Sequence, residues 1–199
     1  MIDDLDRTVE ELLKRELPSV VLDSVAISFS TPDSDFPNTV TFPAVNFFLY
    51  DIRENLELRN GDWFVERESN GVAVRKRAPV RIDCSYLVTA WSSEGSNTRP
   101  FDEHRVLSAV IRALLRYPTI PEQLLQNSLR GQEPPLPTAT LQPAKLGSLS
   151  EFWQALGGKP KAALNYTVTI GIPVDAPVEL EAPVTDKRLR FPQLRRGEE

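Results

Sequence analysis

The sequence contains few of the residues from which metal sites and nucleophilic active sites are built. Its 199 residues include one cysteine, Cys84, and one histidine, His104. A lone cysteine forms no internal disulfide, and one cysteine with one histidine is too few ligands for a zinc site. Glycine-rich phosphate loops, nucleophile elbows and zinc-protease motifs are also missing. We therefore predict no cofactor, no metal and no enzymatic activity.

Long apolar runs and an excess of positive charge are absent as well. No stretch approaches the ~20 apolar residues of a membrane span, and the acidic, amphipathic N-terminus does not resemble a signal peptide. The formal net charge of −5 argues against nucleic acid as a partner. Trp63, Trp91 and Trp153 are too far apart in sequence for a base-stacking platform and are expected in the core. We expect a protein made and assembled in the cytoplasm.

Three segments carry apolar residues at helical spacing and are predicted to form helices. Residues 2–17 form the first, which Pro18 ends. The strongest covers residues 100–116. The third is the segment SLSEFWQALGG, where Ser148 and Glu151 fit a capping box. With 41% apolar residues, the chain can build a packed core around them.

Strand patterns and turn signals occupy the rest of the chain. The strand predicted at 44–51 is apolar on both faces, so it should lie in the interior of a sheet. Residues 57–77 form a predicted hairpin whose turn contains Asn70-Gly71. The other predicted strands cover 24–31, 79–91 and 162–174, with a short helical turn and a short strand between 118 and 144. Because few strands alternate with helices, we predict the α+β class, a mixed and mostly antiparallel sheet with helices packed on it.

An apolar run at residues 47–50 breaks abruptly into charges of both signs. These charges are Asp51, Arg53, Glu54, Glu57 and Arg59. A catalytic carboxylate pair needs two environments that separate the two pKa values, whereas here arginines crowd the carboxylates. We interpret the charged half as a surface that meets another protein, and we expect it to leave the sheet towards the hairpin.

A small enzyme is an alternative from a different class. His104 borders the apolar stripe of the 100–116 helix, where a half-buried packing role is the expected one. As a general base it would need a nearby carboxylate such as Asp102 or Glu103. Helix neighbours one or two positions away do not face the same way, which weakens this alternative.

The chain is predicted to consist of one domain, 1–178, followed by a C-terminal tail, 179–199. The tail is rich in proline and charge and has no periodicity. Its basic residues suggest either a nucleic acid or acidic membrane contact, or an arm that docks on an acidic protein neighbour. They include Lys187, Arg188 and Arg190.

Five segments, in order and at fitting distances, resemble the tail-terminator or cap proteins of extracellular contractile injection systems. These systems are phage-tail-like particles of the antifeeding-prophage and virulence-cassette type. The resemblance spans roughly residues 1–175 and contains no catalytic motif. The segments are MIDDLDRTVEELLKRELP, VNFFLYDIRENLELRN, PVRIDCSYLVTAW, EHRVLSAVIRALLRYPTIP and LSEFWQALGGKPKAALNYTVTI.

The resemblance implies a structural role. Such caps are similar in fold to phage tail terminators and assemble as a sixfold ring on the distal end of the inner tube and sheath. The ring stops elongation and anchors the last sheath layer of a particle that is released or held at a membrane. The implied partners are other copies of the chain, the tube protein and the sheath protein, without a small-molecule substrate. Another ring component, such as a tail-completion or baseplate protein, is the alternative.

A ring subunit needs a rigid core and polar interfaces, and the charged segments supply candidates for the interfaces. We hypothesise that residues 51–77 contact either the neighbouring subunit or the tube and sheath. The tail would dock on a neighbouring subunit or on sheath protein. The predicted interface residues are Asp51, Arg53, Glu54, Glu57, Arg59, Arg75, Lys76, Arg77, Lys187, Arg188 and Arg190.

Overall fold

The computed structural model describes residues 1–67, 72–93, 99–132, 135–142, 149–157 and 159–180. The helices are α1 (Ile2–Glu16), α2 (Ser19–Leu22), α3 (Phe36–Thr39), α4 (Arg99–Leu115) and α5 (Leu149–Ala155). The strands are β1 (Ala26–Ser28), β2 (Ala44–Glu54), β3 (Trp63–Arg67), β4 (Ala73–Arg77), β5 (Val80–Trp91), β6 (Thr138–Thr140), β7 (Ala163–Ile172) and β8 (Val178–Glu179). Short 3-10 turns cover Leu56–Leu58, Glu122–Leu124 and Asn127–Leu129. The predicted α+β class is confirmed.

Five of the strands form one sheet in the order β1-β2-β5-β7-β6. β1 runs parallel to β2, and the other pairs run antiparallel. The sheet is therefore mixed and mostly antiparallel, as predicted. β2 lies between β1 and β5, which explains why its first half is apolar on both faces.

One face of this sheet is covered by α1 and α4. Helical spacing places Leu5, Leu12 and Leu13 on one side of α1, and all three are buried in the main core. Val110 of α4 joins the same core. Each such side chain contributes about 1.5–3 kcal/mol through burial, so these two long helices are fixed by packing.

The opposite face of the sheet carries a smaller core at one end. Trp153 of α5 is buried there with Phe36 of α3 and with Leu87 and Trp91 of β5. The Phe36 and Trp91 ring centroids lie 4.7 Å apart. The short helices thus close one end of the second face, and the register puts Asp51 further along it.

The chain divides into two compact units. The first comprises Met1–Arg59 and Pro79–Ile172, and the second comprises Asn60–Ala78 and Pro173–Glu199. In the second unit, β3, β4 and β8 form a three-stranded antiparallel sheet in that order, which we call the ribbon. The Asn70-Gly71 turn lies outside the described residues, and the division at residue 178 stays a prediction.

Two strands of the main sheet differ in length from the prediction. β1 covers 26–28 rather than 24–31, because beyond it the Asn46 side chain donates to the Ser30 carbonyl at 2.9 Å. β2 continues to Glu54, since β5 provides partners as far as Ile82. The expectation that the charged half leaves the sheet at Asp51 is therefore wrong.

The hairpin and the last strand also differ from the prediction. The hairpin predicted within 57–77 is found as β3 and β4. Only its first residues differ, because Asn55 caps a 3-10 turn there by accepting from the Leu58 N–H at 3.1 Å. The strand predicted at 162–174 is not the last one, since β8 pairs Val178 and Glu179 with β4. The segment predicted as a tail thus begins inside a strand of the ribbon.

Candidate interaction surfaces

The end of β2 and the 3-10 turn that follows it form the first candidate surface, residues 51–59, which we call the strand-end surface. The register of β2 against β5 shifts between Leu49 and Asp51, so Tyr50 lies in a bulge. After this shift Asp51 stands opposite Ser85 and Arg53 opposite Asp83. The bulge therefore changes which charged side chains share a face.

The charges of the strand-end surface pair with one another. Arg53 Nε lies 2.9 Å from the Asp51 carboxylate, and Arg59 Nε lies 3.2 Å from the Glu54 carboxylate. Glu57 is exposed in the 3-10 turn. Sequence analysis identified these five residues as a cluster, and the structure brings four of them together as two ion pairs.

Exposed apolar side chains accompany these ion pairs. Ile52, Leu56 and Leu58 are exposed, Leu56 by 67%. Such side chains beside ion pairs resemble the apolar centre and polar rim of protein interfaces. They stand in the segment Ile-Arg-Glu-Asn-Leu-Glu-Leu, where single apolar residues are separated by charged ones, so the sequence predicted only the charged members of this surface.

The ribbon provides the second candidate surface. Directly opposite residues of antiparallel strands share a face, and the register pairs Trp63 with Arg77, Val65 with Arg75, and Arg75 with Val178. We call this side the tryptophan face. Its members are Trp63, Val65, Arg67, Ala73, Arg75, Arg77 and Val178.

The tryptophan face combines exposed apolar groups with arginines. Trp63 is 43% exposed and Val65 60% exposed, which corrects the expectation that Trp63 lies in the core. The Arg75 guanidinium lies 4.4 Å from the centroid of the Trp63 ring, a cation–π arrangement that orients both side chains. Arg77 lies 3.4 Å from the Asp175 carboxylate.

The opposite side of the ribbon carries side chains of both charge signs, whereas the charged strand residues of the tryptophan face are all arginines. Lys76 Nζ lies 2.6 Å from a Glu66 carboxylate oxygen. The predicted interface residues Arg75, Lys76 and Arg77 therefore lie on both sides of the ribbon. Lys187, Arg188 and Arg190 lie outside the described residues, so their role stays a prediction.

The residues considered for catalysis are not brought into one site. His104 is exposed on α4, so the half-buried packing role expected for it is wrong. Cys84 is buried, and burial raises the pKa of its thiol to about 12, which is the state of an inert structural cysteine. In the part of the chain that the structure describes, no three His, Cys, Asp or Glu residues are arranged to hold a metal ion.

Polar groups on the sheet face beside the strand-end surface satisfy one another. Asp83 accepts from the Thr169 hydroxyl at 2.7 Å and from the Asn55 side chain at 3.0 Å. The Ser85 and Thr167 hydroxyls lie 3.1 Å apart. These bonds join β5, β7 and the turn after β2, so this polar area holds the strand-end surface in place.

A comparison with protein-family models identifies the family to which this chain belongs. A family model, described as the Pvc16 N-terminal domain, matches residues 4–187. The chain belongs to the Pvc16 N-terminal domain family. Among curated proteins, none matches the sequence significantly. The match includes both candidate surfaces, so the strand-end surface and the ribbon are parts of the Pvc16 N-terminal domain.

Two solved structures are similar to this member of the Pvc16 N-terminal domain family. One is the sheath/tube terminator of the PVC extracellular contractile injection system in its extended state, at 28% identity, with a TM-score of 0.68 over 98% of this chain. The other is the tube-terminating cap of the anti-feeding prophage, at 27% identity, with a TM-score of 0.65 over 96% of this chain. The chain covers 64% and 61% of those two proteins. The resemblance to contractile-system terminators predicted from the sequence is confirmed.

No helix among the described residues combines the length and the apolar character needed to cross a bilayer. The longest is α4, of 17 residues, and it carries charged residues along its length. The buried side of α4 packs in the main core with α1 and the sheet. The buried apolar residues of α4 therefore pack in the core of this protein.

Proposed function

We propose that the chain is a structural cap, the tail terminator of a contractile injection system. It assembles as a ring, six copies around, on the distal end of the inner tube and sheath, where it ends elongation and anchors the last sheath layer. The observation that carries this proposal is the similarity to a sheath/tube terminator across 98% of the chain at 28% identity. The role requires surfaces for binding and no catalysis.

The two candidate surfaces support this proposal. A cap has to contact its own copies and the end of the tube and sheath, so each copy needs more than one interface. The strand-end surface offers apolar side chains beside ion pairs, and the tryptophan face offers an exposed tryptophan with arginines. We assign the strand-end surface to the tube and sheath contact.

Particle length tests the function directly. Particles produced with and without the gene are imaged by negative-stain electron microscopy, and their lengths and ends are compared. We expect loss of the gene to give tubes and sheaths of irregular length, or sheaths that detach at a bare end. Particles of normal length with normal ends in the absence of the gene would contradict the proposal that this protein is the cap.

The assignment of the strand-end surface is tested by charge reversal. In R53E/R59E the new carboxylates stand beside Asp51 and Glu54, so both ion pairs become repulsive while the core is untouched. We expect the gene carrying these changes to behave like the deletion, although the purified protein keeps its melting temperature. R7E/R112E, which reverses two exposed arginines of α1 and α4, is the matched control and should cap normally. Normal capping by R53E/R59E would show that tube and sheath bind elsewhere.

A further inference from the structure

The outer strand of the ribbon has an edge with open backbone groups. Among the described strands β3 pairs only with β4. The Ala78 N–H donates to the Asp62 carbonyl at 3.2 Å, and hydrogen-bonded pairs alternate along an antiparallel ladder. Every second residue of β3 therefore turns its N–H and C=O away from β4. These residues are Trp63, Val65 and Arg67.

The side chains of the same three residues lie on the tryptophan face, and this face is open. Trp63 is 43% exposed, Val65 is 60% exposed, and Arg67 is exposed as well. Val178 is 53% exposed on this face, whereas Val74 on the opposite side of the ribbon is 2% exposed. Proteins usually shorten, charge or cover an apolar edge strand. A strand laid along this edge gains both backbone hydrogen bonds and apolar contacts.

The charge of the tryptophan face indicates the charge of its partner. The charged strand residues of this face are Arg67, Arg75 and Arg77. Arg77 pairs with Asp175, and the Arg75 guanidinium lies over the Trp63 ring. Among the residues that the structure describes, no carboxylate lies within ion-pair distance of Arg67 or Arg75. These two arginines are therefore open to carboxylates from outside the ribbon.

A second copy of β3 is poorly suited to this edge. Two antiparallel β3 strands, paired through their open residues, would set Val65 against Val65 of the other copy and Trp63 against the other Arg67. Directly opposite residues share a face, so the two tryptophan faces would form one surface with three arginines from each copy. Like charges in such a contact repel each other, whereas a strand with carboxylates is attracted.

We propose that β3 binds an extended acidic segment of another protein, which becomes the fourth strand of the ribbon. Strand addition takes its affinity from main-chain hydrogen bonds and its specificity from alternate side chains. An antiparallel segment puts a carboxylate opposite Arg67 and apolar side chains opposite Val65 and Trp63. Read from its N-terminus, its pattern is acidic-x-apolar-x-apolar. The proposal goes beyond the cap function and does not rest on it.

A synthetic peptide tests this site on the purified full chain. The probe is fluorescein-labelled Ser-Glu-Thr-Val-Thr-Val-Ser, in which the glutamate is placed to face Arg67 and the two valines to face Val65 and Trp63. Its binding is followed by fluorescence anisotropy. We expect saturable binding that becomes about tenfold weaker when lysine replaces the glutamate, because attraction to Arg67 turns into repulsion.

N-methylated peptides distinguish strand addition from simple attraction between charges. Methylating the amides of the glutamate and the valines removes the N–H groups that face β3. Methylating the amides of the two threonines removes only N–H groups that face away from β3. We expect the first peptide to bind at least tenfold more weakly than the second. Equal binding of the two peptides would overturn the proposal.

Variants of β3 test the same geometry from the protein side. Val65→Pro removes an N–H that faces the open edge, so β3 keeps its hydrogen bonds to β4, while peptide binding should fall about tenfold. R67E should weaken binding of the glutamate peptide about tenfold and bind the lysine peptide better than the wild type does. R7E, which reverses an exposed arginine of α1, is the matched control. Circular dichroism and the melting temperature confirm that each variant is folded.

The outcomes separate this site from the cap function. A glutamate peptide that does not bind, or that binds R67E as tightly as the wild type, would overturn the site. A wild-type dimer in sedimentation velocity that Val65→Pro dissociates would also overturn it, since a second copy would then occupy β3. If the peptide binds as predicted but particle length does not depend on the gene, the site stands and the cap function falls. If particle length depends on the gene while the peptide does not bind, the function stands and the site falls.

Discussion

At the scale of single residues, Asp4 joins the first turn of α1 to a segment more than 120 residues away in the sequence. Its carboxylate accepts from the Asn127 side chain at 2.8 Å and from the Ser128 hydroxyl at 2.5 Å. Hydrogen bonds from these two side chains, opposed by burial, hold the pKa of Asp4 well below its usual range. The carboxylate thereby fastens the 3-10 turn at Asn127–Leu129 to the start of the first helix.

Replacing Asp4 should therefore lower stability in a pH-dependent way. Because the folded pKa lies below the ordinary aspartate value of about 3.9, the carboxylate stabilises the fold above that pH. This contribution is lost as the pH falls through the folded pKa. We expect Asp4→Asn to lower the melting temperature at neutral pH, with a gap to the wild type that narrows as the pH falls below about 4. The control is Asp23→Asn, which changes an exposed carboxylate. A gap that does not depend on pH would contradict this account.

The sequence predicted which charged residues cluster but not what each of them contacts. The alternation of Asp51, Arg53, Glu54 and Arg59 favoured a charged surface over a catalytic carboxylate pair, because runs of both signs usually lie on a solvated face. Which of these charges form ion pairs depends on the bulge at Tyr50, and no pattern in the sequence predicts that bulge. The exposure of Trp63 was missed for a related reason, since a tryptophan is usually buried and only the small size of the ribbon leaves it open.

At the scale of elements, β8 is short but important for the ribbon. A two-stranded hairpin is marginally stable in water, whereas a third strand allows independent stability. β8 supplies that strand by pairing Val178 with Arg75 and Glu179 with Val74, and the Leu180 N–H donates to the Ala73 carbonyl at 2.8 Å. The chain segment after β7 is thus part of the ribbon at least as far as Leu180.

Removing β8 should open the ribbon to proteolysis. Trypsin cleaves after Arg75, Lys76 and Arg77 only when β4 is released from its neighbours. We expect a chain ending at residue 176 to be cleaved there about tenfold faster than the full chain, which corresponds to the loss of about 1.4 kcal/mol of local stability. A chain ending at residue 181, which keeps β8, is the matched control. Equal cleavage of the two truncated chains would show that β8 does not stabilise β4.

The helices and strands were predicted correctly where the segment itself carries periodic apolar residues. They were predicted wrongly where contacts with a distant segment set the boundaries. α1, α4 and β5 were predicted to within one or two residues, because their apolar periodicity runs over 12 to 17 residues. β8 was missed because two residues carry no periodicity and pair only with β4. β1 was predicted too long because its end is set by the Asn46 side chain of β2.

At the scale of the whole molecule, residues 60–78, which carry two of the three strands of the ribbon, are inserted into the sequence of the first unit. The Asn55 N–H donates to the Arg81 carbonyl at 2.8 Å, so the chain leaves the first unit and returns to it at adjacent positions. The main core is built entirely from the first unit, including α1, α4 and the five-stranded sheet. The second unit therefore contributes no residue to the main core.

This separation predicts that the first unit folds without the second. In the test variant a Gly-Ser linker of about eight residues, which spans roughly 16 Å, replaces residues 60–78, and the chain ends at residue 174. We expect its melting temperature to lie within about 5 °C of the full chain, because no residue of the main core is removed. We also expect it not to cap particles, since the tryptophan face is gone. An unfolded variant would show that the ribbon is needed for the fold, and normal capping by the variant would show that the ribbon is not an interface of the cap.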